Sequence, residues 1–215
     1  MFANRLRAAA VAATFAVATQ ASAEDALRTA IAAAHRQPQH VARDAQRHPY
    51  ETLKFFGLQP GQTIVEIQPG GGYWTEILGP YAQATGGKFI TTQPDLEDPN
   101  TTPDKRQSRA EFEARYADAA KYGKIIIAHW GPKSRPLGEP GSADIVISGR
   151  NVHNWLWNQM LDKAFKDYYS VLKPGGILAI EEHRSDPRPQ RPNAGDGYME
   201  TAFVVAAAER AGFKL

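Results

Sequence analysis

The 215-residue chain contains no cysteine. Disulfides, thiolate nucleophiles and cysteine-held metals are therefore excluded, and stability has to come from burying a core. Long apolar runs are also scarce. The run near the N-terminus, Ala8 to Val17, is too short to cross a hydrocarbon layer of roughly 30 Å, which needs about 20 helical residues. An excess of one charge is missing as well, with 25 lysines and arginines against 23 acids. Setting aside Met1 to Ala23 removes Arg5 and Arg7 and no acid, which leaves the remainder formally neutral. Such a chain has no general field with which to gather nucleic acid or anionic lipid; the expected partner is a small molecule or another protein, and no nucleic acid. Neither G-x-G-x-x-G nor G-x-x-x-x-G-K-[ST] occurs, so the usual dinucleotide and nucleoside-triphosphate loops are absent.

What is present starts with a leader. Arg5 and Arg7 precede the apolar run, and Ala21-Ser22-Ala23 has the small-x-small pattern of a cleavage site. Residues 1–23 are read as a signal peptide cut after Ala23, which implies a periplasmic or secreted protein with no stable membrane anchor after cleavage. Residues 24–57 form a helical segment: Ala26, Leu27, Ala30, Ile31 and Ala34 recur at helical spacing from Asp25 to Arg36, and a short helix from Pro49 to Phe56 ends at Gly57.

Residues 58–215 alternate strand and helix. Strands are expected at Thr63–Ile67, Lys88–Thr92, Lys124–Ala128, Asp144–Ser148 and Gly176–Glu181. Helices are expected at Tyr73–Ala84, Lys105–Tyr122, Trp155–Leu172 and Gly197–Ala211. This alternation implies right-handed crossovers and an α/β, Rossmann-like, doubly wound, mostly parallel sheet. Two loops rich in proline and glycine, "HWGPKSRPLGEPGSAD" and "RSDPRPQRPNAGDG", follow carboxyl ends of strands, where open sheets of this kind bind ligands.

The stretch "VEIQPGGGYWTEIL", Val65 to Leu78, raises the functional question. Gly70, Gly71 and Gly72 give a turn free of side chains in front of a helix whose first N–H groups are unpaired. Glu66 at the strand end opposes a phosphate and favours a ligand with a cationic or hydroxyl-rich group. A zwitterion suits both features, its carboxylate at the glycine turn and its ammonium near Glu66.

Together with "ADIVISGRNVHNW" and "VLKPGGILAIEEH", that stretch resembles the class I S-adenosylmethionine-dependent methyltransferases, in particular the predicted secreted methyltransferases of bacteria. The resemblance runs from about Arg43 to the last residue. It implies S-adenosylmethionine as cofactor, with Glu66, Pro69, Gly70, Gly71, Gly72 and Tyr73 around its methionine end and Gln93 and Asn151 contributing nearby. Two departures stand out: Gln68 occupies the first glycine of the acid-x-Gly-x-Gly-x-Gly pattern, and Gln93 replaces the acid that holds the ribose hydroxyls, unless Asp95 reaches back. His129 and Trp130 stand where an adenine-contacting acid is usual.

Catalytic candidates follow strands four and five. His153, in "RNVHNW", can serve as a general base toward an acceptor hydroxyl or amine, or Asn151 and His153 can instead cap the helix that follows. Glu182 and His183, in "EEH", face it from the neighbouring tip; the same three residues also suggest a metal-dependent hydrolase, or simply a salt bridge to Arg184 or Arg150. Arg47, in "RDAQRHP", could grip a carboxylate in bidentate fashion. His35, His40 and His48 are assigned surface or capping roles, and Trp155, Trp157, Tyr168 and Tyr169 are assigned to packing. Strand five has no hairpin beside it, so its edge is expected to be unpaired and open to self-association. A non-catalytic ligand-binding module of the same fold is the second reading, and the metal-dependent hydrolase the third.

Overall fold

A computed structural model describes residues 25–215 of the chain. The signal-peptide expectation falls on residues outside that span. Helix α1 covers residues 25–31; three short helices follow, α2 (Pro38–Val41), α3 (Asp44–Arg47) and α4 (Pro49–Phe55). The α/β unit then runs β1 (Thr63–Ile67), α5 (Thr75–Ala84), β2 (Lys88–Pro94), α6 (Pro103–Arg115), α7 (Ala119–Tyr122), β3 (Ile125–Trp130), β4 (Ala143–Gly149), α8 (Val152–Trp157), α9 (Leu161–Val171), β5 (Leu172–Glu181) and α10 (Thr201–Arg210).

All strand pairs are parallel, in the order β3-β2-β1-β4-β5. Parallel strands are joined by helices that cover both faces, so a central strand must be apolar on both sides. β1 meets that demand: Ile64 packs into one core with Leu27, Leu53, Trp74 and Ile77, while Val65 and Ile67 point to the other with Trp155, Phe165 and Tyr168. The helices α1 and α4 thus belong to the same packed unit as the sheet. The order in which strands are added reverses at β1, with β2 and β3 on one side and β4 and β5 on the other, and this switch point opens a crevice at the carboxyl ends of β1 and β4.

Several boundaries differ from the sequence expectation. The expected Lys105–Tyr122 helix is two helices, since Asp118 leaves the helical region and its side chain accepts the N–H of Ala120 at 3.0 Å, starting α7 afresh. The expected Trp155–Leu172 helix also breaks: Gln159 takes a left-handed φ of 57°, and Met160 N–H closes back on the Trp155 carbonyl at 2.7 Å. β2 and β3 continue to Pro94 and Trp130, because the Gln93–His129 and Pro94–Trp130 positions still pair. β5 begins at Leu172, and α10 begins at Thr201. Of the four aromatics assigned to packing, Trp155 and Tyr168 are buried, but Trp157 and Tyr169 are about half exposed on the far sides of α8 and α9.

β5 is an edge strand, as expected. A groove of about 560 Å³ runs beside it, walled by Phe55, Ile177, Val204 and Phe213 among others. At the tip of β5 the returning chain closes part of the edge, with Met199 N–H on the His183 carbonyl at 2.8 Å and Ser185 N–H on the Met199 carbonyl at 2.9 Å.

Candidate active site

The crevice between β1 and β4 contains a cavity of about 340 Å³. Its floor is the glycine turn. Gly70 has φ +57° and an added Cβ there would meet nothing within 4 Å, so this corner is open to a ligand. Gly71 faces the His40 ring, whose Nε2 would lie 3.4 Å from an added Cβ. Gly72 is different: the Tyr116 hydroxyl stands 2.0 Å from where its Cβ would be, and that hydroxyl donates to the Gly71 carbonyl at 3.0 Å. Glycine at 72 therefore makes room for the protein's own tyrosine and does not line the cavity.

Glu66 lines the cavity but is 2% exposed. The Thr75 hydroxyl donates to it at 2.6 Å, and no lysine or arginine among the described residues pairs with it. Burial raises its pKa from 4.5 to about 8, against the lowering effect of the Thr75 hydrogen bonds. Below that pH the group is a neutral acid, ready to ionise when a cation arrives.

Pro69, Tyr73, Asn151, His153 and His183 complete the expected residues along the cavity. Asn151 does not cap α8 through its side chain; its amide donates to the Ile67 carbonyl at 3.1 Å and to the Ser148 hydroxyl at 3.3 Å, tying the tips of β1 and β4 together. Gln68, in the place of the first glycine, carries the left-handed φ of 47°; its amide oxygen accepts the Trp155 indole N–H at 2.7 Å, which holds the turn to the core. Gln93 is buried at the β2 tip and is not part of the cavity wall. Beside it, Asp95 bonds His129 at 3.2 Å, so the β2–β3 tips are joined to each other.

Glu182 faces His153, with Oε1 3.0 Å from its Nδ1 and Oε2 accepting the His153 N–H at 3.2 Å. With Nδ1 held by the carboxylate, Nε2 is the ring nitrogen left to work. Glu182 also accepts the His183 N–H at 2.8 Å, so its oxygens are occupied and it acts on the site by orienting His153. Among the described residues no group of three His, Cys, Asp or Glu side chains is arranged to hold a metal ion.

A second imidazole–carboxylate pair sits on the opposite wall. His40, given a surface or capping role from sequence, is buried, and its Nδ1 lies 2.9 Å from Glu76 Oε2. Glu76 is fully buried in turn and accepts the Gln37 backbone N–H at 3.1 Å and its side-chain amide at 2.7 Å. Nothing local marks this pair: the partners are 36 residues apart and meet only because α2 docks on the start of α5. Arg43, Arg47, Trp74 and Arg150 also line the cavity. Of these only Arg47 stood out in the sequence; its guanidinium lies 4.4 Å over the Tyr73 ring. His48 is exposed, and His35 packs edge-on against Tyr122.

No protein-family model matches the chain, and comparison with curated proteins finds no match. Solved structures do match. A SAM-dependent methyltransferase from Aquifex aeolicus is 19% identical, covers 83% of this chain and 84% of its own, and superposes with a TM-score of 0.59. A possible exported protein from Bordetella parapertussis is 17% identical over 84% of this chain and 64% of its own, with a TM-score of 0.52. An O-methyltransferase family protein from Burkholderia thailandensis is 13% identical over 82% of this chain and 52% of its own, with a TM-score of 0.54. The chain thus spans about half to four-fifths of the length of these neighbours. At these identities the shared property is the Rossmann-like fold.

Proposed function

We propose that the protein is an S-adenosylmethionine-dependent methyltransferase that acts outside the cytoplasm on a small-molecule acceptor. The observation that carries the reading is Glu66, a buried carboxyl without a cationic partner, on the wall of a cavity whose floor is the unobstructed turn at Gly70. The fold's likeness to methyltransferases supports the reaction class, and the leader pattern with the exported neighbour supports the location.

The residues present fit the amino-acid end of that cofactor. Glu66 would receive its ammonium group, ionising as it does so, and the turn at Gly70 and Gly71 would receive its carboxylate. The buried indole N–H of Trp74, which has no partner and belongs to the cavity wall, supplies a further donor for that carboxylate. When bound, the cofactor supplies an electrophilic methyl group on a sulfonium. The chain's part is to fix the acceptor in line, exclude water and take a proton where the acceptor carries one. His153 Nε2, with its tautomer set by Glu182, is the group assigned to that proton.

Calorimetric titration of the mature chain with S-adenosylmethionine and its demethylated product tests the reading. Micromolar binding that weakens at least tenfold in Glu66→Gln is expected, and no binding of either nucleoside would overturn it. A specific observation favours a second reading, a ligand-binding module without turnover: the β2–β3 tips are linked by the Asp95–His129 bond and Gln93 lies off the cavity, so the ribose end has no acidic clamp. Tight nucleoside binding with no methyl transfer to any acceptor would leave that reading in place.

A further inference from the structure

The cavity is cationic in a way the cofactor does not use up. Arg43, Arg47 and Arg150 all line it, and no carboxylate among the described residues pairs with any of the three. The neighbouring Arg36 shows the contrast: both its terminal nitrogens are locked onto Asp44, at 2.7 and 2.9 Å. A guanidinium left without a counter-charge while its neighbour is paired is a group kept free for a ligand.

Two of the three are also held in place. Arg47 lies over the Tyr73 ring and within 5.8 Å of the Trp74 ring, which fixes its plane at the wall. Arg150 sits at the end of β4 with a left-handed φ of 58°, pinned by its N–H on the Glu181 carbonyl at 2.6 Å. A non-glycine residue held in that region at a strand tip is strain that the surrounding structure maintains, as at binding sites. The unpartnered indole N–H of Trp74 stands 3.2 Å from the Cβ position of Gly149, between these groups and β4.

The acids nearby form no ion pair with these arginines; Glu181 comes nearest, its buried and unpartnered Oε2 lying 3.3 Å from the Cβ position of Gly149, but it is not on the cavity wall. Glu182 is taken up by His153 and His183, Glu76 by His40 and Gln37, and Asp44 by Arg36 and the Tyr73 hydroxyl. Among the described residues Glu66 is the single carboxyl on the cavity wall, and it is the group assigned to the cofactor's ammonium. One carboxylate from the cofactor can engage one guanidinium, and the rest remain.

We infer that the acceptor is an anion, and that Arg47 and Arg150, with Arg43 at the mouth, grip its carboxylate or phosphate group while His153 faces its nucleophile. This rests on the methyltransferase reading for the word acceptor, but the anion site itself can be tested apart from it. The acceptor class would then be a hydroxy or amino compound that also carries an acidic group.

The test is titration of the mature chain with benzoate and with phenyl phosphate, with benzyl alcohol as the neutral control, at about 150 mM salt so that loose surface attraction is screened. The expected result is that one or both anions bind, benzyl alcohol does not, and Arg47→Gln and Arg150→Gln each weaken the anion about tenfold. Which anion binds tighter separates a carboxylate from a phosphate acceptor. Arg43→Gln, on an exposed side chain, keeps the test open if the other variants fold poorly, and is expected to weaken binding by about threefold. Equal binding of benzyl alcohol, no anion binding, or anion binding indifferent to all three substitutions would overturn the inference. The same samples are titrated with the demethylated cofactor: nucleoside binding without anion binding defeats this inference alone, and anion binding without nucleoside binding defeats the methyltransferase reading alone.

Discussion

Two cavities of this molecule make opposite offers. The groove along β5 is the larger, about 560 Å³ against 340 Å³, and its walls are largely apolar side chains of β5 and α10 with Phe55 from the end of α4 and Phe56 just beyond it. The cavity over the glycine turn is smaller, and three arginines, three histidines and one buried carboxyl converge on it. Size follows from where packing runs out, and at β5 it runs out because the sheet stops there. Chemistry follows from where strand ends meet, because side chains from β1, β4 and β5 arrive there from segments far apart in sequence. The smaller cavity is therefore the candidate site.

The largest effect expected of that difference is on stability against pH. Glu66 is a carboxyl whose pKa in the folded chain is about 8, against 4.5 when exposed. The folded state holds that proton between those two values and the unfolded state does not, so the stability contributed by Glu66 is fully present below about pH 4.5 and is lost as pH rises toward 8. A shift of that size corresponds to about 5 kcal/mol across the window. Asp44 acts in a different window: burial pushes it up, but the hydrogen bonds from Arg36 and the Tyr73 hydroxyl, together with the Arg36 charge, outweigh this and hold it low, so its contribution is lost only in acid. Denaturant melts from pH 5 to 8 should show the fall, and Glu66→Gln should flatten it. A flat wild-type profile would mean that Glu66 is compensated by a charge, and the contrast between the two cavities would lose its central residue. Binding of a cation beside Glu66 should release about one proton at neutral pH, read as a buffer-dependent heat of titration.

Next in size is the glycine turn, which separates space for a ligand from space for the protein. Gly72→Ala would drive a methyl group into the Tyr116 hydroxyl at a φ of +91°, and should cost about 3 kcal/mol or more of stability. Gly70→Ala meets no atom and carries only the left-handed cost of about 1 kcal/mol, yet it should weaken nucleoside binding because its methyl group points into the open corner. Thermal melts paired with titrations separate the two, and the reverse pattern would reassign the turn.

How much of this could be read from the chain differs between the same two regions. The strands of β1 and β4 were legible because parallel pairing needs unbroken β-branched runs such as Ile64-Val65 and Ile145-Val146-Ile147, and no tertiary detail is required to see them. Glu66, Gly70 and His153 were legible because they sit at fixed offsets from those strand ends. His40 with Glu76 and the loose Arg43 and Arg150 were not, since each depends on how a short helix docks or on a backbone twist, neither of which leaves a local pattern. Gly72 shows the limit from the other side: three glycines in a row look alike in sequence, and only the position of Tyr116, on a distant helix end, tells them apart.

The smallest effect concerns the groove. β5 ends the sheet as an edge strand, and Ile177, 39% exposed, stands in the middle of that edge and lines the groove together with the largely exposed Phe55. We propose that two copies meet weakly along this strand, since an exposed apolar edge is a template for another strand of the same kind. Sedimentation at rising concentration should detect the association, and Ile177→Lys should abolish it by placing a charge on the edge, at a stability change of under about 1 kcal/mol because that side chain is only half buried. The substitution should leave nucleoside and anion titrations unchanged. Were Ile177→Lys to weaken either of them, the groove and the glycine-turn cavity would be one functional unit joined beyond the β5 tip at His183, which borders both.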